Sequence, residues 1–155
     1  MTIQEHVVET AKEAAAEFFR YAKNVPADRL EWKAEGVGQS VLSMAREIAM
    51  TPVWAIQAMT GAESSEEDQA AMMEKMGSWN SVDQCENEFS KHFGEWAEFV
   101  TALPDSKLSD TRWLPYNGGR DHTMLEMLEY PRWNATYHTG QVAFIQTLYG
   151  DKNMY

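Results

Sequence analysis

The residues best able to do chemistry converge on one stretch near the C-terminal end, Trp133-Asn134-Ala135-Thr136-Tyr137-His138-Thr139-Gly140-Gln141-Val142. On a helical wheel of about 100° per residue, Val142, Ile145, Leu148 and Tyr149 form an apolar stripe, and Asn134, His138 and Gln141 fall on that stripe. Arg132, Thr136, Thr139, Ala143 and Thr147 fall opposite. Two amides and an imidazole are therefore expected to face the core. A buried polar group without a partner costs about 1–3 kcal/mol, so three on one face require partners. Asn134 and His138 are four residues apart, which stacks their side chains one turn apart and suits two ligands of one metal ion. The same spacing suits a core histidine satisfied by hydrogen bonds, and spacing alone leaves both readings open. A mid-helix glycine costs about 1 kcal/mol against alanine, so Gly140 is expected to admit a close neighbouring helix.

Other reactive side chains carry weaker signals. His92 flanks an apolar stripe beside Phe93 and is placed near the bundle interior, mainly as a structural residue. His6 lies off its helix stripe and is read as solvated; His122 is read at a helix start, with little functional weight. The single cysteine, Cys85, excludes an intramolecular disulfide and is read as a small buried hydrophobe. Trp113 and Tyr116 lie in a long loop, where they either roof a pocket or pack the loop down.

Four long helical patterns position these groups. The first runs from about Thr2 to Asn24, with Ile3, Val7, Ala11, Ala14, Phe18 and Ala22 at spacings of three and four and a Thr2/Glu5 capping box. Ser40 is the expected N-cap of the second, which reaches Thr60 and stops at Gly61, with a kink or break at Pro52. A short extra helix is expected over Glu66–Lys75. Ser81 and Gln84 make a capping-box pattern for the third long helix, whose stripe is Val82, Cys85, Phe89, Phe93, Trp96, Val100 and Leu103. Asp105 to Arg120 reads as a long loop, then a short helix over Thr123–Tyr130, with Pro131 either kinking it or occupying the first turn of the last helix. No strand is expected. One-sided stripes on four helices of about 20 residues imply an all-α four-helix bundle, and the long connections imply something other than simple up-down-up-down order.

Composition sets outer bounds. The 155 residues make one domain, with 44% hydrophobic and 24% charged residues, a globular balance. Thirteen Lys and Arg against 24 Asp and Glu give a net charge of −11, without a basic cluster, which disfavours nucleic acid as a partner. No apolar run reaches a membrane span of about 20 residues, and the N-terminus lacks the pattern of a secretory leader, so the cytoplasm is the expected compartment.

The segment Asn134 to Gln141, followed by Leu148-Tyr149-Gly150, resembles the C-terminal helix of the DinB-like (damage-inducible, YfiT-like) superfamily, whose pattern there is His-x-x-x-His-x-Gly-Gln. Ser40 to Ala49 resembles that family's Ser-initiated second helix, which carries a metal-binding His seven residues after the Ser. The loop around Trp32 and Gly38 is similar to the family's approach to that helix, and the resemblance spans about Thr2 to Gly150. It implies a four-helix bundle and a divalent-metal site of three histidines. Here His138 keeps its place, Asn134 stands where the preceding His would be, and Glu47 stands where the second-helix His would be. The implied ligand set is His138, Glu47 and Asn134, harder than three imidazoles. On the wheel Glu47 lies opposite the main stripe of Val41, Ala45, Ile48 and Ile56, on a side shared with Met50 and Trp54.

The resemblance further implies a metal-dependent hydrolase or a thiol transferase using Zn, Ni, Mn or Fe, acting on a small-molecule substrate or with a thiol cosubstrate, and a homodimer. Gln141 would orient the site, with His92 and Trp54 near its pocket, and Glu47 would be a general base if it does not ligate. Two further readings stand beside it: a metal-free small-ligand-binding module, and a structural dimer on the same fold.

Overall fold

In the computed structural model, which describes residues 1–155 apart from the side chain at position 117, six α-helices and one hairpin follow the chain in order. They are α1 (Ile3–Lys23), α2 (Val41–Thr60), α3 (Glu66–Gly77), α4 (Val82–Thr101), β1 (Thr111–Leu114), β2 (Arg120–Thr123), α5 (Met124–Leu128) and α6 (Tyr130–Leu148). The helix limits follow local chemistry. Thr2 and Glu5 form the reciprocal capping box of α1. The Ser40 hydroxyl accepts from the Ser43 N–H at the start of α2, and Gly61, at φ 71, ends that helix in the left-handed conformation that glycine adopts without penalty. Ser65 and Asp68 box α3, and Thr123 and Glu126 box α5.

The bundle proper is α1, α2, α4 and α6. Helix α2 packs chiefly on α4 and α1 on α6, while α1 against α4 and α2 against α6 close the ring. Helices α1 and α2 are neighbours in sequence but scarcely touch, so the connection between them crosses the bundle, and the order is not simple up-down-up-down. The core is aromatic where the helices meet: Phe18, Phe19, Phe89, Phe93 and Trp96 form a run of ring contacts 5.1–5.5 Å apart. Cys85 is fully buried among them, and burial pushes its thiol up to about 11, as befits an inert apolar residue.

Several expectations need correction. Pro52 does not break α2, which runs unbroken through it. Proline removes one helix hydrogen bond and crowds the preceding turn; there, His92 Nδ1–H donates to the Ala49 carbonyl at 2.8 Å. Ser81 caps α4 through the Gln84 N–H, but the Gln84 side chain accepts from the Asn80 N–H, so the capping box is only half formed. The stretch read as loop contains an antiparallel hairpin, Thr111–Leu114 on Arg120–Thr123, with Gly118 and Gly119 at φ 84 and 78 in its turn. On α6, Leu148 is exposed, whereas Thr139 and Gln146 are buried. The inward face is thus rotated from the expected stripe. Thr139 Oγ1 donates to the Ala135 carbonyl and Gln146 Nε2 to the Tyr21 carbonyl, while Gln146 Oε1 is buried without a partner. No neighbour packs on Gly140: an added Cβ would meet nothing within 4 Å. No helix among the described residues is long and apolar enough to cross a membrane.

Candidate functional site between the second and last helices

Helices α2 and α6 bring together residues far apart in the chain. Glu47 Oε1 accepts from His138 Nε2–H at 3.0 Å and from Asn134 Nδ2 at 3.3 Å. Asn134 Nδ2 also donates to Thr51 Oγ1 at 2.9 Å, and the Thr51 hydroxyl donates to the Glu47 carbonyl one turn back. On the outer side Gln39 Nε2 donates to Glu47 Oε2 at 2.9 Å. His138 Nδ1–H donates to Gln141 Oε1 at 2.5 Å. The imidazole side chain is 4% exposed and the carboxylate 25%, so the pair sits at the edge of the core with the acid toward water. Asn134 and His138, buried on the inward face of α6, are therefore both partnered.

The electrostatics follow from these contacts. The His138 bond is the largest influence on the Glu47 carboxyl, ahead of the opposing cost of burial and the bond from Gln39, and holds it down at about 2. Glu47 is a carboxylate at neutral pH, with its charge held against an imidazole. Tyr130, one turn before Asn134 on α6, has its hydroxyl pushed up to about 12, first by burial and then by the Glu47 charge, and stays a phenol.

A cavity of about 780 Å³ lies beside the cluster, between the later half of α2, the hairpin, α5 and the start of α6. Trp54, two turns beyond Glu47 on α2, lines it together with Tyr130, Trp133, Leu114, Tyr116 and His122. A smaller cavity of about 340 Å³ lies on the other side, where Gln39 and Gln141 reach its wall beside Tyr137 and Gly140. Glu47, Asn134 and His138 themselves line neither cavity.

Of the residues named from the sequence, Glu47, Asn134, His138 and Gln141 form one network, and Trp54 lines the larger cavity. His92 is outside both: its imidazole is spent on the Ala49 carbonyl. Tyr116 lines the larger cavity, while Trp113 lies against Gly119, where a Cβ would stand 2.7 Å from its ring. Sequence reasoning gives no part in the site to Thr51 or Gln39. These follow Glu47 and precede Ser40 by short steps. His122 lies in β2 opposite Arg112, one residue before the N-cap of α5, and is 9% exposed.

Donor atoms test the fit of a divalent ion. Two ligands each about 2.1 Å from one ion and about 90° apart stand about 3.0 Å from each other, the separation of Glu47 Oε1 and His138 Nε2. The bond from His138 Nδ1–H to an amide oxygen is the arrangement that orients a ligating imidazole through its other nitrogen. Asn134 differs: it turns its amide nitrogen, which ligates nothing, toward Glu47 and Thr51. No group of three His, Cys, Asp or Glu able to hold a metal occurs among the described residues. Glu47 and His138 fit as two ligands, and Asn134 fits only with its amide turned.

The chain matches no family model and no curated protein. Among solved structures it is similar to YfiT from Bacillus subtilis, described as a probable metal-dependent hydrolase with an unusual four-helix bundle topology. The TM-score is 0.72 at 14% identity, over 95% of this chain and 87% of that one. A conserved protein from Enterococcus faecalis has a TM-score of 0.67 at 14% identity, over 96% of this chain and 97% of the other. The fold is that of the YfiT-like four-helix bundle.

Proposed function

We propose that the protein is a metal-dependent hydrolase of a small molecule, with a labile divalent ion held by Glu47 and His138 and the Asn134 amide turned to offer its oxygen. The observation that carries the reading is the 3.0 Å meeting of Glu47 Oε1 and His138 Nε2 between α2 and α6. The ion, when bound, would lower the pKa of a coordinated water and polarise the scissile bond. The chain's own residues do the rest. Gln141 holds the imidazole by its Nδ1–H so that Nε2 faces the carboxylate, and Gln39 fixes the outer oxygen of Glu47. The cavity lined by Trp54, Tyr130 and Trp133 takes the body of the substrate and keeps water from it.

With one carboxylate, one imidazole and one amide, the site is harder than three imidazoles and is expected to hold its ion loosely. Elemental analysis of untagged protein, with melting followed across added Zn, Mn, Ni and Fe, tests this. Binding to the folded state raises Tm. The expected result is a rise in the wild type that His138→Ala abolishes; no rise with any ion contradicts the reading.

One observation favours a second reading, a metal-free ligand-binding module: the Asn134 amide nitrogen already serves two acceptors, Glu47 and Thr51. In that case divalent ions leave Tm unchanged and the Glu47–His138 pair serves a bound ligand directly.

A further inference from the structure

Helix α6 turns a second face outward, and that face is apolar. Trp133, Tyr137, Phe144 and Leu148 are each more than half exposed, and no other helix among the described residues exposes more than one large apolar side chain. Their spacing of four, seven and four sets them within about 60° of one another around the helix. Gly140 lies beside this stripe at its midpoint, with nothing within 4 Å of an added Cβ. The Trp133 and Tyr137 rings stand 5.3 Å apart and 14° from parallel, so this part of the face is ordered before anything docks on it. The face is also free of acid. The chain carries 24 Asp and Glu, yet α6 alone of the six helices has none. Its one arginine, Arg132, lies well round from the stripe and pairs with Glu129.

We infer that a second copy of this chain covers the face, α6 packing antiparallel on α6 about a two-fold axis. The first ground is symmetry. Trp133 and Leu148, and likewise Tyr137 and Phe144, stand at equal distances either side of the point between Gly140 and Gln141. A two-fold axis there sets Trp133 of one copy beside Leu148 of the other and Tyr137 beside Phe144, apolar on apolar at each step, as a self-complementary interface requires. Gly140 falls at the crossing, where about 8–10 Å between helix axes leaves room for a glycine or alanine. The second ground is charge. A basic partner is drawn to the acidic helices, and an anionic membrane repels a chain of net charge −11. Two like-charged copies repel least where neither carries acid. The third is area. With about 150–250 Å² per aromatic side chain, four half-exposed side chains from each copy supply close to the roughly 1,000 Å² that a specific interface needs. The contact also covers the smaller cavity, whose wall includes Tyr137, Gly140 and Phe144 with Gln39 and Gln141. It thereby shields the two amides that hold Glu47 and His138. The inference stands apart from the proposed function and needs neither an ion nor a substrate.

The test is sedimentation equilibrium of the full chain from about 1 to 200 μM, the range in which an interface at the small end dissociates. The expected result is a concentration-dependent approach to twice the chain mass. Phe144→Glu and Leu148→Glu each place a carboxylate in the stripe at a mostly exposed position, and each is expected to weaken association about tenfold or more; melting curves identify whichever of the two is folded. Crosslinking reads the register. Gly140→Cys brings the thiols of two copies together beside the axis, within disulfide reach. Gly94→Cys is the control, an equally open glycine on α4 among Ser90, Lys91 and Glu98, and the native Cys85 is buried. On mild oxidation Gly140→Cys is expected to give covalent dimer at least about tenfold faster than Gly94→Cys. A chain that stays monomeric at about 200 μM, a dimer that no folded Glu variant weakens, or Gly140→Cys crosslinking no faster than Gly94→Cys overturns the inference.

Discussion

Glu47 and His138, 91 residues apart in the chain, meet at 3.0 Å where α2 and α6 pack. The contact ties the two helices that carry the candidate site and sets the charge state of the acid. Its removal is therefore expected to lower stability.

Truncating the imidazole leaves Glu47 with the Gln39 and Asn134 bonds but no ring partner in a partly dry place. His138→Ala is expected to cost about 1–3 kcal/mol, read from urea unfolding midpoints. His138→Leu trades a polar network for packing but strands the carboxylate, so it is expected to lose a similar amount unless combined with Glu47→Leu. Recovery in the double variant measures how much of the loss is the stranded charge.

The pH dependence has a definite sign. The Glu47 carboxyl titrates near 2 in the folded chain against an ordinary value of 4.5. In the window between those values the unfolded chain binds more protons, so stability falls as pH falls. The contribution is fully present above 4.5, is lost toward 2, and amounts to at most about 3 kcal/mol. Unfolding of the metal-free wild type and of Glu47→Gln across pH 6 to 2 checks it: the wild type is expected to lose stability more steeply, and parallel curves would contradict the assignment.

The hairpin that walls the larger cavity is pinned to the end of α2 by Arg112. Its guanidinium donates to the Met59 and Thr60 carbonyls, which the helix end leaves unpaired. Gly61 makes room for it, at φ 71 and with an added Cβ 2.1 Å from Arg112 Nη1. Gly61→Ala is expected to destabilise by about 1–3 kcal/mol and to increase hydrogen exchange in β1 and β2, because both the left-handed backbone and the guanidinium are disturbed.

Gly140 gives the opposite sign. It sits within α6 with no atom near a would-be Cβ. Gly140→Ala is expected to raise stability by about 0.5–1 kcal/mol through helix propensity alone, visible as a higher Tm. A decrease would mean that the smaller cavity beside it needs the open space.

Much of this is legible in the sequence. The limits of α2 follow from Ser40 and Gly61, and those of α1 from the Thr2/Glu5 box, because capping chemistry is local. Asn134 and His138 lie on the inward side of α6 as their spacing requires, since the helical period places i and i+4 together. Glu47 was reached only by family resemblance. Its wheel position is opposite the main stripe of α2, and nothing local tells that the side carrying Met50 and Trp54 is covered by α6. The hairpin escaped because four-residue strands offer too little alternation to count, although the Gly118-Gly119 turn was a usable signal. The rotation of the α6 face escaped for a similar reason: Thr139 and Gln146 look solvent-seeking in sequence, and only their partners, the Ala135 and Tyr21 carbonyls, explain their burial.

The most direct test of the central claim is the nitrogen resonance of the His138 ring during titration of the isotopically labelled, metal-free chain with Zn²⁺. A ligating imidazole gives up its Nε2 proton to the ion. The account predicts that the Nε2 signal shifts and its proton correlation disappears at stoichiometric metal, while the Nδ1–H held by Gln141 persists. A ring whose nitrogens stay unmoved past saturating Zn²⁺ would contradict it.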